Sequence, residues 1–183
     1  MRPDGGPEQA ALRSFIASLA LYDAFVAVTG RSSGLALKWP NDVLLNGGKL
    51  AGILLESAGT SRGVNSLSIG IGVNLLNVPE VVEEGAVRPV SLLSETGAQV
   101  MPEEFLDALA PAFARYEAQF TTFGFAPIRT VWLDRAARLG EVITARTGTT
   151  EHVGTFESVD ETGALILRTS EGQRVIPAGE VYF

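Results

Sequence analysis

The segment from Lys38 to Glu56, K-W-P-N-D-V-L-L-N-G-G-K-L-A-G-I-L-L-E, sets two lysines, an aspartate, two asparagines and a tryptophan inside what otherwise reads as a buried β-hairpin. Burying charge without a partner is costly, so core strands rarely carry such groups. A strand pair that keeps them needs a reason, and holding an anionic, partly apolar ligand is one. Val43–Leu45 and Leu50–Leu55 are the two apolar runs, joined through Asn46-Gly47-Gly48-Lys49. A two-residue Gly47-Gly48 loop supplies the positive φ angles of a tight hairpin. Gly52, inside the return strand, signals a bulge or a close approach to the backbone. With that turn, Asp42 and Lys49 share a face but stand about 13 Å apart, at roughly 3.4 Å per residue.

A second pattern follows at Ile69-Gly70-Ile71-Gly72-Val73-Asn74. Alternate glycines bare one face of a strand, so that a flat ligand can lie on the backbone or a helix can pack closely against it. Asn74 then offers an amide of the kind that pairs with the N6/N7 edge of adenine.

The rest of the chain reads as helices, then short strands. Glu8–Val28 has Leu12, Phe15, Ile16 and Leu19 on one face of a helix. Strands are expected near Leu35–Lys38, Val43–Asn46, Lys49–Glu56 and Leu67–Leu75, and a polar loop over Asn77–Pro89. Ser91 caps a short helix that stops at Gly97. Pro102–Thr121 carries an apolar stripe of Phe105, Leu109, Phe113, Tyr116 and Phe120, and Pro127 opens a third helix. From Leu139 onward, short strands punctuated by turns at Asp160–Gly163 and Ser170–Gly172 suggest a small barrel.

Composition narrows the function. A net charge of −7 opposes broad binding to a phosphate backbone. The absence of cysteine removes disulfides and thiolate metal sites. No stretch of about 18 uninterrupted apolar residues marks a membrane span, and the N-terminus lacks the basic-then-apolar order of a secretory signal. The cytoplasm is the default location. His152, the only histidine, lies beside Glu151 in an expected strand and reads as an exposed polar residue. No His/Asp/Glu cluster suggests a metal site. The Asp160-Glu161 pair reads as a solvated turn.

Taken together and in this order, K-W-P-N-D, G-K-L-A-G-I-L-x-E and I-G-x-G-x-N resemble the central motifs of the biotin–protein ligases, relatives of the lipoate ligases. Ser91-Leu92-Leu93 and the β-rich C-terminus fit the same family. The resemblance implies an α+β fold: a class II-synthetase-like mixed sheet bearing helices over residues 1–138, and an SH3-like β-barrel over 139–183. It implies AMP-forming transfer of biotin, through biotinyl-5′-AMP, to a lysine of a biotin carboxyl carrier domain, with ATP and biotin as substrates and Mg²⁺ accompanying ATP. Lys49 matches the lysine that meets the biotin carboxylate and the adenylate phosphate. Asp42 matches an aspartate placed to hold or deprotonate the incoming amine. Gly52, Gly70, Gly72 and Asn74 fall on the ligand-binding positions. For Lys38 and Asn41, ligand contact and a local structural role stand level. Trp39, held extended before Pro40, reads as packing.

The family's Gly/Arg-rich loop and its preceding strands have no match here. The expectation is an N-terminally shortened catalytic domain without a DNA-binding segment, and a homodimer is compatible with it. Alternatives to catalysis are a non-catalytic fragment that binds nucleotide or protein only, or a lipoyl-type acyl ligase on the same scaffold.

Overall fold

The computed structural model describes all residues except 2, 4, 5, 61, 62 and 80–86. Two short strands, β1 (Leu35–Lys38) and β2 (Asp42–Leu45), precede two long ones, β3 (Gly48–Thr60) and β4 (Gly63–Val73). They form one antiparallel sheet in the order β1-β2-β3-β4. The parallel contacts near it are isolated bridges, Leu37 to Ala136 and Lys49 to Pro89, so the described strands make an antiparallel sheet and not the expected mixed one. Part of the expected Asn77–Pro89 loop lies outside the described residues.

Period-two alternation divides this sheet into two unlike faces. Leu35, Leu37, Val43, Leu45, Ala51, Ile53, Ile69, Ile71 and Val73 join the hydrophobic core. Against them packs α2 (Arg13–Thr29), which is covered in turn by α4 (Pro102–Phe123) and α5 (Phe125–Asp134). The expected first helix is broken at Leu12, leaving a five-residue α1 (Pro7–Ala11) ahead of α2. By length and composition Pro7–Thr29 would suffice to cross a membrane. Here Ile16, Ala17, Leu19, Ala20, Leu21, Ala24 and Phe25 are wholly buried, which explains why the helix is apolar nearly all round. Phe15 sets its ring edge-on against Phe125 and Trp132, and the Trp132 indole N–H donates to Ser18 Oγ.

The short helix α3 (Leu92–Thr96) begins where expected. Ser91 accepts from the Ser94 amide in a reciprocal capping box, and Gly97 closes the helix in the left-handed region. Asp23 ties the helices together, taking Arg135, Arg115 and the Tyr116 hydroxyl on its carboxylate.

The C-terminal strands are β5 (Val142–Thr147), β6 (Thr150–Val159), β7 (Leu165–Thr169), β8 (Gly172–Ile176) and β9 (Glu180–Tyr182). Their order is β8-β7-β6-β5-β9. All four pairings are antiparallel, and among the described residues none joins β8 to β9, so the sheet is open where a closed barrel was expected. It docks on the first sheet through a buried hydrogen bond from the Trp39 indole N–H to the Gly163 carbonyl. Trp39 is thus a packing residue.

Asp160 is more than a solvated turn residue. Its Oδ1 accepts from the Thr162 amide, the Thr162 hydroxyl and the Ala164 amide. Burial pushes its pKa up, but these hydrogen bonds outweigh it and hold the carboxyl below its usual range. A depressed carboxyl adds stability above its unfolded-state pKa and loses it as pH falls through the folded value. Asp160→Ala is therefore expected to cost about 1 kcal/mol near neutral pH. The gap to the parent should shrink in acid, as read by denaturant titration at both pH values.

Candidate active site

The face turned away from the helices carries the polar residues of the motif. Lys38 and Asp42 lie directly opposite one another at one end of the β1–β2 pair, and Asp42 lies opposite Gly52, which lies opposite Gly72. Leu54 faces Gly70 one step further on and is strongly exposed. The result is a bare backbone floor of Gly52, Gly70 and Gly72, bounded by charge on one side and by an apolar side chain on the other. A Cβ on Gly72 would meet nothing nearer than 4.0 Å, and one on Gly70 nothing nearer than 3.6 Å. These glycines open the outer face; they do not make room for a helix.

The hairpin turn is Asn46-Gly47, one residue earlier than expected. Both residues have positive φ, 51° and 79°, which is the pattern of a type I′ turn. Gly48 then pairs with Leu45 as the first residue of β3. A bulge follows: Leu44 pairs with Lys49 and Val43 with Ala51, so Leu50 is the extra residue. Leu50 and Ala51 are consequently both buried in the core, while Lys49 and Gly52 both face outward.

This register removes the separation of about 13 Å that regular spacing implied. Lys49 reaches along the strand over Gly52, and its Nζ lies 2.6 Å from Asp42 Oδ1. The space it crosses is the space a side chain at position 52 would fill. A Cβ there would stand 3.2 Å from Lys49 Cε, 3.3 Å from Nζ and 3.5 Å from Asp42 Oδ1. Gly52→Ala should displace the flexible Lys49 terminus without disturbing the backbone. It is expected to lower biotin-dependent turnover about tenfold, with a melting temperature near that of the parent.

Asp42 stands between the only two lysines in the chain. Lys38 Nζ lies 3.5 Å from Oδ2, and both side chains are 9% exposed. Lys49 is the outlying member, 41% exposed. Among the described residues none gives Asp42 Oδ1 a well-directed hydrogen bond, so its contact with Lys49 is an ion pair. Two ammoniums on one carboxylate leave a net positive site on a partly dry surface, which suits a carboxylate or phosphate.

The two asparagines are committed locally. Asn41 Nδ2 donates to the Ile53 carbonyl at 2.7 Å, and the Ile53 amide donates to the Asn41 carbonyl at 2.9 Å. Asn74 Nδ2 donates to the carbonyls of Lys49 and Val90. Its N–H groups therefore fix the base of Lys49, and only its Oδ1 is left to face a ligand's donor. The Lys49 amide and carbonyl are bonded in turn to the Arg88 carbonyl and the Val90 amide. The backbone carrying Lys49 is thus held along one edge by the Arg88–Val90 segment.

Beyond Lys49 the same face opens into a cavity of about 520 Å³ that includes Ala36, Leu44, Arg88, Arg138, Tyr182 and Phe183 in its wall. Sequence reasoning passed over Arg88 and Arg138. Neither lies in a motif, and they line one cavity only because the C-terminal strands fold back beside the hairpin.

Residues 5–74 match the biotin/lipoate A/B protein ligase family, and residues 139–183 match the biotin protein ligase C terminal domain. A biotin–[acetyl-CoA-carboxylase] ligase of Paracoccus denitrificans is 62% identical over all of this chain and 77% of its own length. This chain belongs to the biotin protein ligase family. Another relative, the bifunctional ligase/repressor BirA of Bacillus subtilis, is 29% identical, and the chain spans 55% of its length. Among solved structures, the biotin protein ligase of Aquifex aeolicus in complex with biotin and ATP superposes with a TM-score of 0.78 at 26% identity. That match covers 94% of this chain and 70% of the Aquifex chain.

Proposed function

We propose that this chain is an ATP-dependent biotin–protein ligase acting on a biotin carboxyl carrier domain. The observation that carries the reading is the Lys49 ammonium, held over Asp42 at the end of a glycine floor. In the first step the biotin carboxylate attacks the α-phosphorus of ATP, the bond to pyrophosphate breaks, and biotinyl-5′-AMP forms. Two anions must approach one another, and Lys49 is the cation placed to neutralise them. In the second step the neutral amine of a carrier lysine attacks the acyl carbon, AMP departs, and the amine loses a proton. Asp42 is the nearby carboxylate able to orient that amine or take its proton.

In this reading the flat, partly apolar body of the ligand lies on Gly52, Gly70 and Gly72 beside Leu54, and Asn74 Oδ1 meets the adenine side. Asn41 and Lys38 act by shaping the site. Among the described residues no group of three or more His, Asp or Glu side chains converges. Mg²⁺ would accordingly arrive with ATP, held mainly by its phosphates. We also propose a division into a class II-synthetase-like catalytic domain, 1–138, and an SH3-like domain, 139–183. Its support is that, among the described residues, the C-terminal strands pair only with one another, in a five-stranded sheet of their own.

The test is incubation of the purified chain with biotin, ATP, magnesium and a carrier domain, read as the mass increase on the carrier lysine. Biotin-dependent modification supports the proposal. Modification by lipoate alone would reassign the substrate, and binding of biotin without modification would make the chain a binding module.

A further inference from the structure

The Lys38–Asp42–Lys49 cluster is asymmetric in a way that simple charge neutralisation does not require. One carboxylate would satisfy one ammonium, yet both lysines of the chain converge on it. Lys38 is fixed. Its side chain is buried, and its strand is held on the far side by bonds from the Leu37 amide to the Arg135 carbonyl and from the Ala137 amide to the Leu37 carbonyl. Lys49 is on a long, half-exposed arm that rests on a glycine. Asp42 is itself buried, so it cannot be left without a counter-ion when Lys49 turns to a substrate anion; stranding a buried charge is strongly unfavourable.

We propose that Lys38 is a positioning residue that loosens Lys49. By carrying part of the Asp42 charge, it lets the Lys49 ammonium leave for the substrate while Asp42 stays paired and in place. Without Lys38, Asp42 would hold Lys49 more tightly, and substrate would have to break that pair. The catalytic meaning of this exchange rests on the ligase reading above, but the exchange itself is measurable without substrate.

The experiment is reductive methylation of the folded chain with formaldehyde and a borane, with rates at each lysine read by peptide mass spectrometry. With only two lysines, the assignment is unambiguous. Asp42→Asn should speed Lys49 labelling, and Lys38→Met should slow it, each by roughly three- to fivefold, the size of a partly exposed ion-pair coupling. Lys38→Arg should restore the parent rate. In the Asp42→Asn background, Lys38→Met should change nothing further. Lys38→Gln, which can still hydrogen-bond to Asp42, gives the same reading if the Met variant melts early. An unchanged Lys49 rate in a Lys38 variant that melts like the parent overturns the proposal.

Carrier labelling separates the two ideas. In Lys38→Met, kcat/KM for biotin should fall by the same factor as the labelling rate, and Asp42→Asn should abolish that difference. Altered Lys49 rates without carrier labelling by the parent chain would leave the ion-pair exchange standing and remove the ligase reading. Carrier labelling with unaltered Lys49 rates would do the reverse.

Discussion

Lys49→Ala should remove nearly all biotin transfer, lowering kcat by on the order of 10²–10³, the usual loss when a preorganised charge facing a developing anion is deleted. The structure indicates why folding should survive. Lys49 is the exposed end of its ion pair, and Asp42 retains Lys38 at 3.5 Å. A stability change within about 1 kcal/mol is expected, as for other partly exposed pairs. Lys49→Arg should recover little, because a forked guanidinium on the same backbone cannot reproduce a compact ammonium above Gly52. The measurement is single-turnover labelling of the carrier, with thermal melting as the control. Wild-type rates in Lys49→Ala would remove this residue from the mechanism.

Gly72→Val should uncouple function from folding in the opposite sense to a core mutation. The position is an exposed strand glycine on the outer face, with empty space where a Cβ would project. Replacing a strand glycine by a β-branched residue generally gains about 0.5–1 kcal/mol from backbone entropy and propensity. The same branched side chain would stand on the floor where the ligand is proposed to lie. Displacing a bound reactant by about 1 Å is enough to cost roughly 10² in rate. A variant at least as stable as the parent, yet nearly inactive and weak in biotin binding, is the expected outcome. If it bound biotin normally, the glycine floor would be no part of the site.

Much of this arrangement was legible in the residues themselves. β1 is Leu35–Lys38 as expected, and the other three sheet strands differ only at their ends. The Ser91-to-Gly97 helix is written in its cap and its stop. Lys38, Asp42, Gly52, Gly70 and Gly72 gather on one face as strand periodicity assigns them, and Lys49 joins Gly52 there only through the bulge. What escaped was register. Asn46-Gly47 and Gly47-Gly48 are both good turn dipeptides, and the choice between them moves every later side chain by one place. The bulge at Leu50 has no glycine or proline to announce it. Without it, Asp42 and Lys49 cannot be seen to touch. Asn74 looks like a free amide in the sequence because nothing local shows that the Lys49 and Val90 carbonyls end beside it. The break at Leu12 and the open edge between β8 and β9 are likewise tertiary outcomes, set by packing and not by local propensity.

The Asn46-Gly47 loop is exposed and short, the kind of place where a chain ordinarily accepts an added or missing residue. Here its length is under strict constraint. Turn and bulge together are what direct Leu50 inward and Lys49 outward. Losing one residue between Leu45 and Leu50 would exchange the two, hiding the ammonium under the helices and turning a leucine toward the ligand. Tolerance to insertion and deletion should therefore be lowest at the hairpin tip, where a surface map alone would place it highest.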